Sequence, residues 1–119
     1  MEIKSHKDLK VWQEAMNLVV DIYSLTSLFP NSEQYGLSTQ MRRCSVSIPS
    51  NIAEGAGRRG SKELCKFLYI SQGSLAELET QIEIASRLGY ISEKSEIREK
   101  IIYIRRMLTK LIKSLESNQ

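Results

Sequence analysis

Apolar residues recur along most of this chain at intervals of three and four, the period of a helix that buries one face. Leu64, Leu68, Ser71, Leu75, Leu78, Ile82 and Ala85 sustain the pattern through one segment. Ile97, Ile101, Ile104, Leu108, Leu111 and Leu115 sustain it through another. Ser61 is a good N-cap for the first of these, and Gly89 is a C-terminal stop. Ser92 opens the second, with Ser95 as a competing cap. The pattern predicts helices over about residues 61–88 and 92–115.

The N-terminal segment, about residues 8–29, carries two apolar stripes. Leu9, Trp12, Met16, Val19 and Tyr23 share one face; Val11, Ala15, Leu18, Ile22, Leu25 and Phe29 share another. At about 100° per residue only a strip around Lys10, Gln13, Glu14, Asn17 and Asp21 stays polar. An outer helix of a monomeric bundle needs one apolar stripe, so the second predicts self-association. The expected subunit contact is Val11, Ala15, Leu18, Ile22 and Leu25.

Pro30 closes that helix, and another is expected over about residues 33–57. Pro49 falls inside it, removes a backbone donor and crowds the preceding turn, so a kink or break is expected there. Gly55, Gly57 and Gly60 then read as its end and the following loop, while Gly73 and Ser74 would permit a close helix approach. Four helices with short connections predict an all-α fold: one antiparallel up-down four-helix bundle over residues 1–119, its second helix kinked near Pro49.

Composition adds exclusions. The 119 residues are 41% hydrophobic and 26% charged, a globular balance that argues against disorder. No apolar run approaches the length of a membrane-spanning helix, and MEIKSHKDLKVWQEAM has no signal-type apolar core. A cytoplasmic protein without membrane contact is expected. Cys44 and Cys65 form no CxxC pair, and His6 is the single histidine. Neither a clustered metal site nor the paired ExxH motifs of di-metal bundles can be assembled from them. GAGRRG lacks the spacing of a phosphate loop. No catalytic residue, metal or cofactor is expected, and the chain reads as a non-enzyme.

The net charge of +3 is unevenly placed. Residues 31–62 hold five cations against two carboxylates, and residues 91–119 hold seven against four. Arg42-Arg43 and Arg58-Arg59 flank the Pro49 region. Arg98, Arg105, Arg106 and Lys110, with Lys94 and Lys113, form an arc on the last helix. Such groups suit RNA or DNA phosphates, with salt-sensitive binding. The two arginine pairs equally suit ion pairs with Glu54, Glu77 or a neighbouring subunit. Glu99 and Glu116 dilute the arc, whose alternative reading is an ordinary solvated face.

Leu9, Val11-Trp12-Gln13, Tyr23, Thr26, Phe29-Pro30, Glu33, Tyr35-Gly36-Leu37, Gln40 and Arg42-Arg43 carry a resemblance that continues in Ser47-Ile48-Pro49-Ser50-Asn51-Ile52-Ala53-Glu54-Gly55. Arg58, Phe67-Leu68, Gly73-Ser74, Glu77-Leu78, Gln81 and Leu88-Gly89-Tyr90 extend it. The chain resembles the four-helix bundle proteins encoded in bacterial 23S rRNA intervening sequences, also called S23 ribosomal protein-like. It is similar, too, to the accessory variability determinants of diversity-generating retroelements, basic pentamers that bind nucleic acid and a reverse transcriptase. The resemblance implies a closed bundle, a ring-shaped homopentamer, an RNA, DNA or protein partner, and no catalytic residues.

Overall fold

The computed structural model describes residues 5–92 and 95–118. Helix α1 spans Lys10–Thr26, α2 Leu37–Ala56, α3 Ser61–Arg87 and α4 Ile97–Glu116. Single 3-10 turns at His6–Asp8 and Asn31–Glu33 complete the regular structure, and no strand occurs among the described residues. Packing joins α1 to α2, α2 to α3, α3 to α4 and α4 back to α1, closing a ring of four helices. Arg42 meets Thr26, Ser71 meets Ile48 and Gln72 meets Thr109, so successive helices run antiparallel. The body measures 46 × 23 × 19 Å and is the expected up-down bundle.

All seven stripe positions of α3 are buried. On α4 the buried set is Ile97, Ile101, Ile104, Leu108, Ile112 and Leu115, with Leu111 only half-buried. At 100° per residue Leu111 and Ile112 straddle the face, and Ile112 is the one turned inward. The largest departure concerns α1. Val11, Ala15, Leu18 and Ile22 lie in the chain's own core, and Leu25 packs against it. They are covered within one chain and cannot be the subunit contact expected of them. The surplus stripe is the other one: Met16 and Tyr23 are 41% and 44% exposed, and neighbouring Val20 is 63% exposed.

Helix termini explain the remaining boundaries. Glu33 sits in a 3-10 turn, and its carboxylate accepts the Leu37 N–H at 3.2 Å, so α2 begins at Leu37. The helix is continuous through Pro49, a buried residue that lines the cleft between α1 and α2, and no break interrupts it. Gly89, at φ +81°, ends α3: the Gly89 N–H reaches Ser86 O and the Tyr90 N–H reaches Ala85 O. This paired closure needs the left-handed conformation that glycine adopts without strain. Helix α4 begins at Ile97 with Glu96 at the cap position, one residue past the later expected cap, although the Ser95 hydroxyl accepts the Ile97 N–H at 3.3 Å. No helix among the described residues is long and apolar enough to cross a membrane.

Gly55, expected to end a helix, instead lets two helices meet. A Cβ there would stand 2.7 Å from Phe67 Cβ and 3.1 Å from Leu64 Cδ1 on α3. Gly73, expected to permit close approach, faces open space. Its neighbour Ser74 makes the contact, its hydroxyl 2.6 Å from that of Ser47.

Candidate nucleic-acid interface

The eight candidate cations divide by their partners. Arg58 bonds Glu54 at 2.6 Å and lies over the Phe67 ring. Arg98 is 3.6 Å from Glu83, and Arg105 bonds Glu79 at 2.6 Å. Arg42 is held without a carboxylate: its Nε donates to Thr26 Oγ1 at 2.8 Å, and its guanidinium stacks 4.8 Å from the Tyr23 ring centre. Arg43, Arg59, Arg106 and Lys110 are exposed and have no ion pair among the described residues.

Helix geometry accounts for the division. Arg98 and Arg105 are seven residues apart on the flank of α4 that faces α3, within reach of Glu83 and Glu79. Arg106, Lys110 and Lys113 follow at i, i+4 and i+7 on the back of the helix, opposite the buried Ile/Leu face. Successive charges there rise about 6 and 4.5 Å along the axis. Lys94 lies outside the described residues. Sequence reasoning passed over Lys66; it stands one turn beyond Lys62 on α3, both exposed and free of ion pairs among the described residues. The i, i+4 spacing of the two lysines beside Arg59 was the available signal.

The opposite side of the bundle, where α1 meets α2, has different chemistry. Trp12, Met16 and Val19 of α1 face Val46, Pro49 and Ala53 of α2 across an open, mostly apolar cleft. In a ring ordered α1-α2-α3-α4 this groove points away from the α3–α4 groove. The cleft beside the surplus stripe of α1 and the free cations on the solvent back of α4 are therefore separate surfaces of the bundle.

Between the faces, Cys44 is sealed in the α2–α3 seam. Its thiol donates to Ser74 O at 3.0 Å and lies 3.4 Å from Glu77 Oε2. Burial first, and then the Glu77 carboxylate, push its pKa from 9.0 up to about 12. Such a thiol is a structural group and a poor nucleophile. No group of three or more His, Cys, Asp or Glu side chains that could hold a metal occurs among the described residues.

The arrangement is a compact bundle with a row of exposed cations on the solvent face of α4 and an apolar cleft between α1 and α2. A crystal structure of a protein of unknown function from the S23 ribosomal protein family of Bacteroides thetaiotaomicron superposes with a TM-score of 0.80. It is 24% identical, and the alignment covers 87% of this chain and 95% of that one, which establishes a shared fold. No curated protein matches the sequence. The family described as 23S rRNA-intervening sequence protein matches residues 7–110, nearly the whole of the bundle. With fold, motif run and family match in agreement, the chain belongs to the 23S rRNA-intervening sequence protein family.

Proposed function

We propose that this protein is a non-enzymatic, self-associating bundle that binds RNA or DNA phosphates through the solvent face of α4. The observation that carries the reading is the row Arg106, Lys110 and Lys113, three exposed cations with no carboxylate partner among the described residues. Paired cations lose little by staying where they are, whereas free ones can release counterions from a polyanion. Arg59, Lys62 and Lys66 enlarge the same basic end, and Arg43 supplies a further free charge. An assembly would repeat the row once per subunit and multiply its effect.

The second reading, a structural or protein-interaction module without a nucleic-acid ligand, is favoured by the apolar α1–α2 cleft. Self-association through that cleft is compatible with either reading, and the homopentamer implied by the resemblance supplies the stoichiometry.

The test is binding of a structured RNA across a salt series, with light scattering on the same samples. Replacing Arg106, Lys110 and Lys113 together by Gln should reduce the slope of log K against log salt by about 2 to 3. The assembly mass should stay unchanged. Absence of binding by the wild-type assembly at low salt overturns the nucleic-acid reading and leaves the interaction module. A Met16→Glu variant, placed in the cleft, should lower the mass.

A further inference from the structure

At the corner where α1 hands over to α2, a cleft of about 330 Å³ has a lining unlike that of the apolar groove. Thr26, Ser27, Asn31, Gln34, Ser38 and Arg42 present polar groups to it over a floor of Phe29 and Pro30. Arg42 is the one charged residue in that lining. Its side chain is already oriented: Nε donates to Thr26 Oγ1 at 2.8 Å, one Nη lies 3.4 Å from Tyr23 O, and the Tyr23 ring supports the guanidinium plane. That leaves N–H donors of the fork uncommitted, with no carboxylate paired to the charge among the described residues.

Ser38 supplies an independent observation. The residue as a whole is only 6% exposed and lines the cleft, and its hydroxyl has no hydrogen-bond partner among the described residues. The hydroxyl is not sealed off: it opens onto the cleft whose wall Ser38 forms, and so is available to a ligand atom there. Ser38 also lies in the first turn of α2, where backbone N–H groups point outward. Glu33, between Asn31 and Gln34 in the chain, is committed elsewhere: Oε1 accepts the Leu37 N–H and Oε2 accepts the Tyr90 hydroxyl. Asn31 and Gln34 add amide donors.

We propose that this α1–α2 corner cleft binds a phosphate group, held by the Arg42 fork, the Ser38 hydroxyl and the amides of Asn31 and Gln34. The donors outnumber what a carboxylate can accept, and the arginine repels a metal ion. A phosphate has enough oxygens to satisfy the whole set. The site deepens the nucleic-acid reading by adding an oriented seat to the exposed cations of α4. It rests on that reading only for the source of the phosphate, which is either a nucleic-acid strand or a free phosphate ester.

The test is amide and arginine-Nε NMR of the full chain, titrated at constant ionic strength with inorganic phosphate, acetate, and a short RNA with or without a 5′-phosphate. Saturable shifts at Arg42, Ser38, Asn31 and Gln34 are expected with inorganic phosphate or RNA, stronger than with acetate. Ser38→Ala should weaken phosphate binding about tenfold, the loss of one hydrogen bond to a charged ligand. Arg42→Lys keeps the charge but not the fork, and should not restore full affinity. Because Arg42 also ties α2 to α1, Gln34→Leu and Ser38→Ala provide variants outside that tie. Preference for the 5′-phosphorylated strand identifies a terminal phosphate, and equal binding of both strands an internal one. Equal shifts with acetate, or affinity unchanged in Ser38→Ala and Gln34→Leu, overturn the site. RNA binding that ignores all these variants overturns it while leaving the α4 reading intact. Phosphate binding without RNA binding does the reverse.

Discussion

Helix α3 meets α2 through small side chains and α4 through long charged ones. On the α2 side Gly55 admits Phe67, the Ser71 hydroxyl donates to Ile48 O at 2.9 Å, and Ser47 bonds Ser74. No ion pair crosses that seam among the described residues. On the α4 side Arg105 reaches Glu79, Arg98 reaches Glu83, Tyr69 bonds Glu116 and Gln72 bonds Thr109, all over an Ile/Leu core. The first seam fixes distance by atomic fit, and an added atom has nowhere to go. The second fixes register by apolar periodicity, and its half-solvated charges can rearrange without moving a helix.

Two glycines in this one bundle should therefore respond with opposite sign. Gly55→Val drives side-chain carbon into Phe67 and the Leu64 carbonyl, which lies 3.3 Å from the ideal Cβ. The contacted atoms belong to a side-chain root and to backbone, so they cannot swing aside. A loss of about 3 kcal/mol or more is expected in denaturant unfolding, and Gly55→Ala should still destabilise despite its helix propensity. Gly73→Ala meets nothing within 4 Å and should stabilise by about 0.5–1 kcal/mol. Equal responses would mean that the α2–α3 fit is looser than its distances.

The tight seam also has a pH signature. Cys44 is raised from 9.0 to about 12 in the folded chain, so the unfolded chain ionises first as pH rises. The thiol's contribution is complete below pH 9 and is lost between pH 9 and 12. Tyr69, raised by its bond to Glu116, and Tyr90, raised by its bond to Glu33, act in the same alkaline direction. A Cys44→Ala chain keeps both tyrosines and should show a shallower fall of melting temperature above pH 9. Parallel curves for the two chains would remove Cys44 from the account.

Much of this contrast was legible beforehand, but unevenly. The α3 and α4 stripes could be read because a 3.6-residue period states directly which side chains share a face. It does not state which face the bundle will cover, and on α1, with two stripes, the outward one was assigned wrongly. The neighbours α2 and α4 decide that Val11, Ala15, Leu18 and Ile22 turn inward. The cations were found as types and positions, but Glu79 and Glu83 reach Arg105 and Arg98 only after the chain folds back. Gly55 was read as punctuation because its use is a distance to Phe67 that no local pattern contains. The corner cleft left one trace in the sequence, Ser38 and Arg42 at i and i+4, too common a spacing to stand out.

The smallest expected effect tests the adaptable seam. The Arg105 and Glu79 side chains are 39% and 47% exposed, so water screens their bond although it is only 2.6 Å long. A double-mutant cycle of Arg105→Gln and Glu79→Gln should give a coupling below about 1 kcal/mol that shrinks further in added salt. The charge has a partner on α3 and contributes little free cation to the outer row, so Arg105→Gln should also weaken RNA binding less than Lys110→Gln. A coupling above about 2 kcal/mol would place this pair among rigid, desolvated contacts. The α3–α4 seam would then be as sharply specified as the α2–α3 seam, and the distinction between them would rest on Gly55 alone.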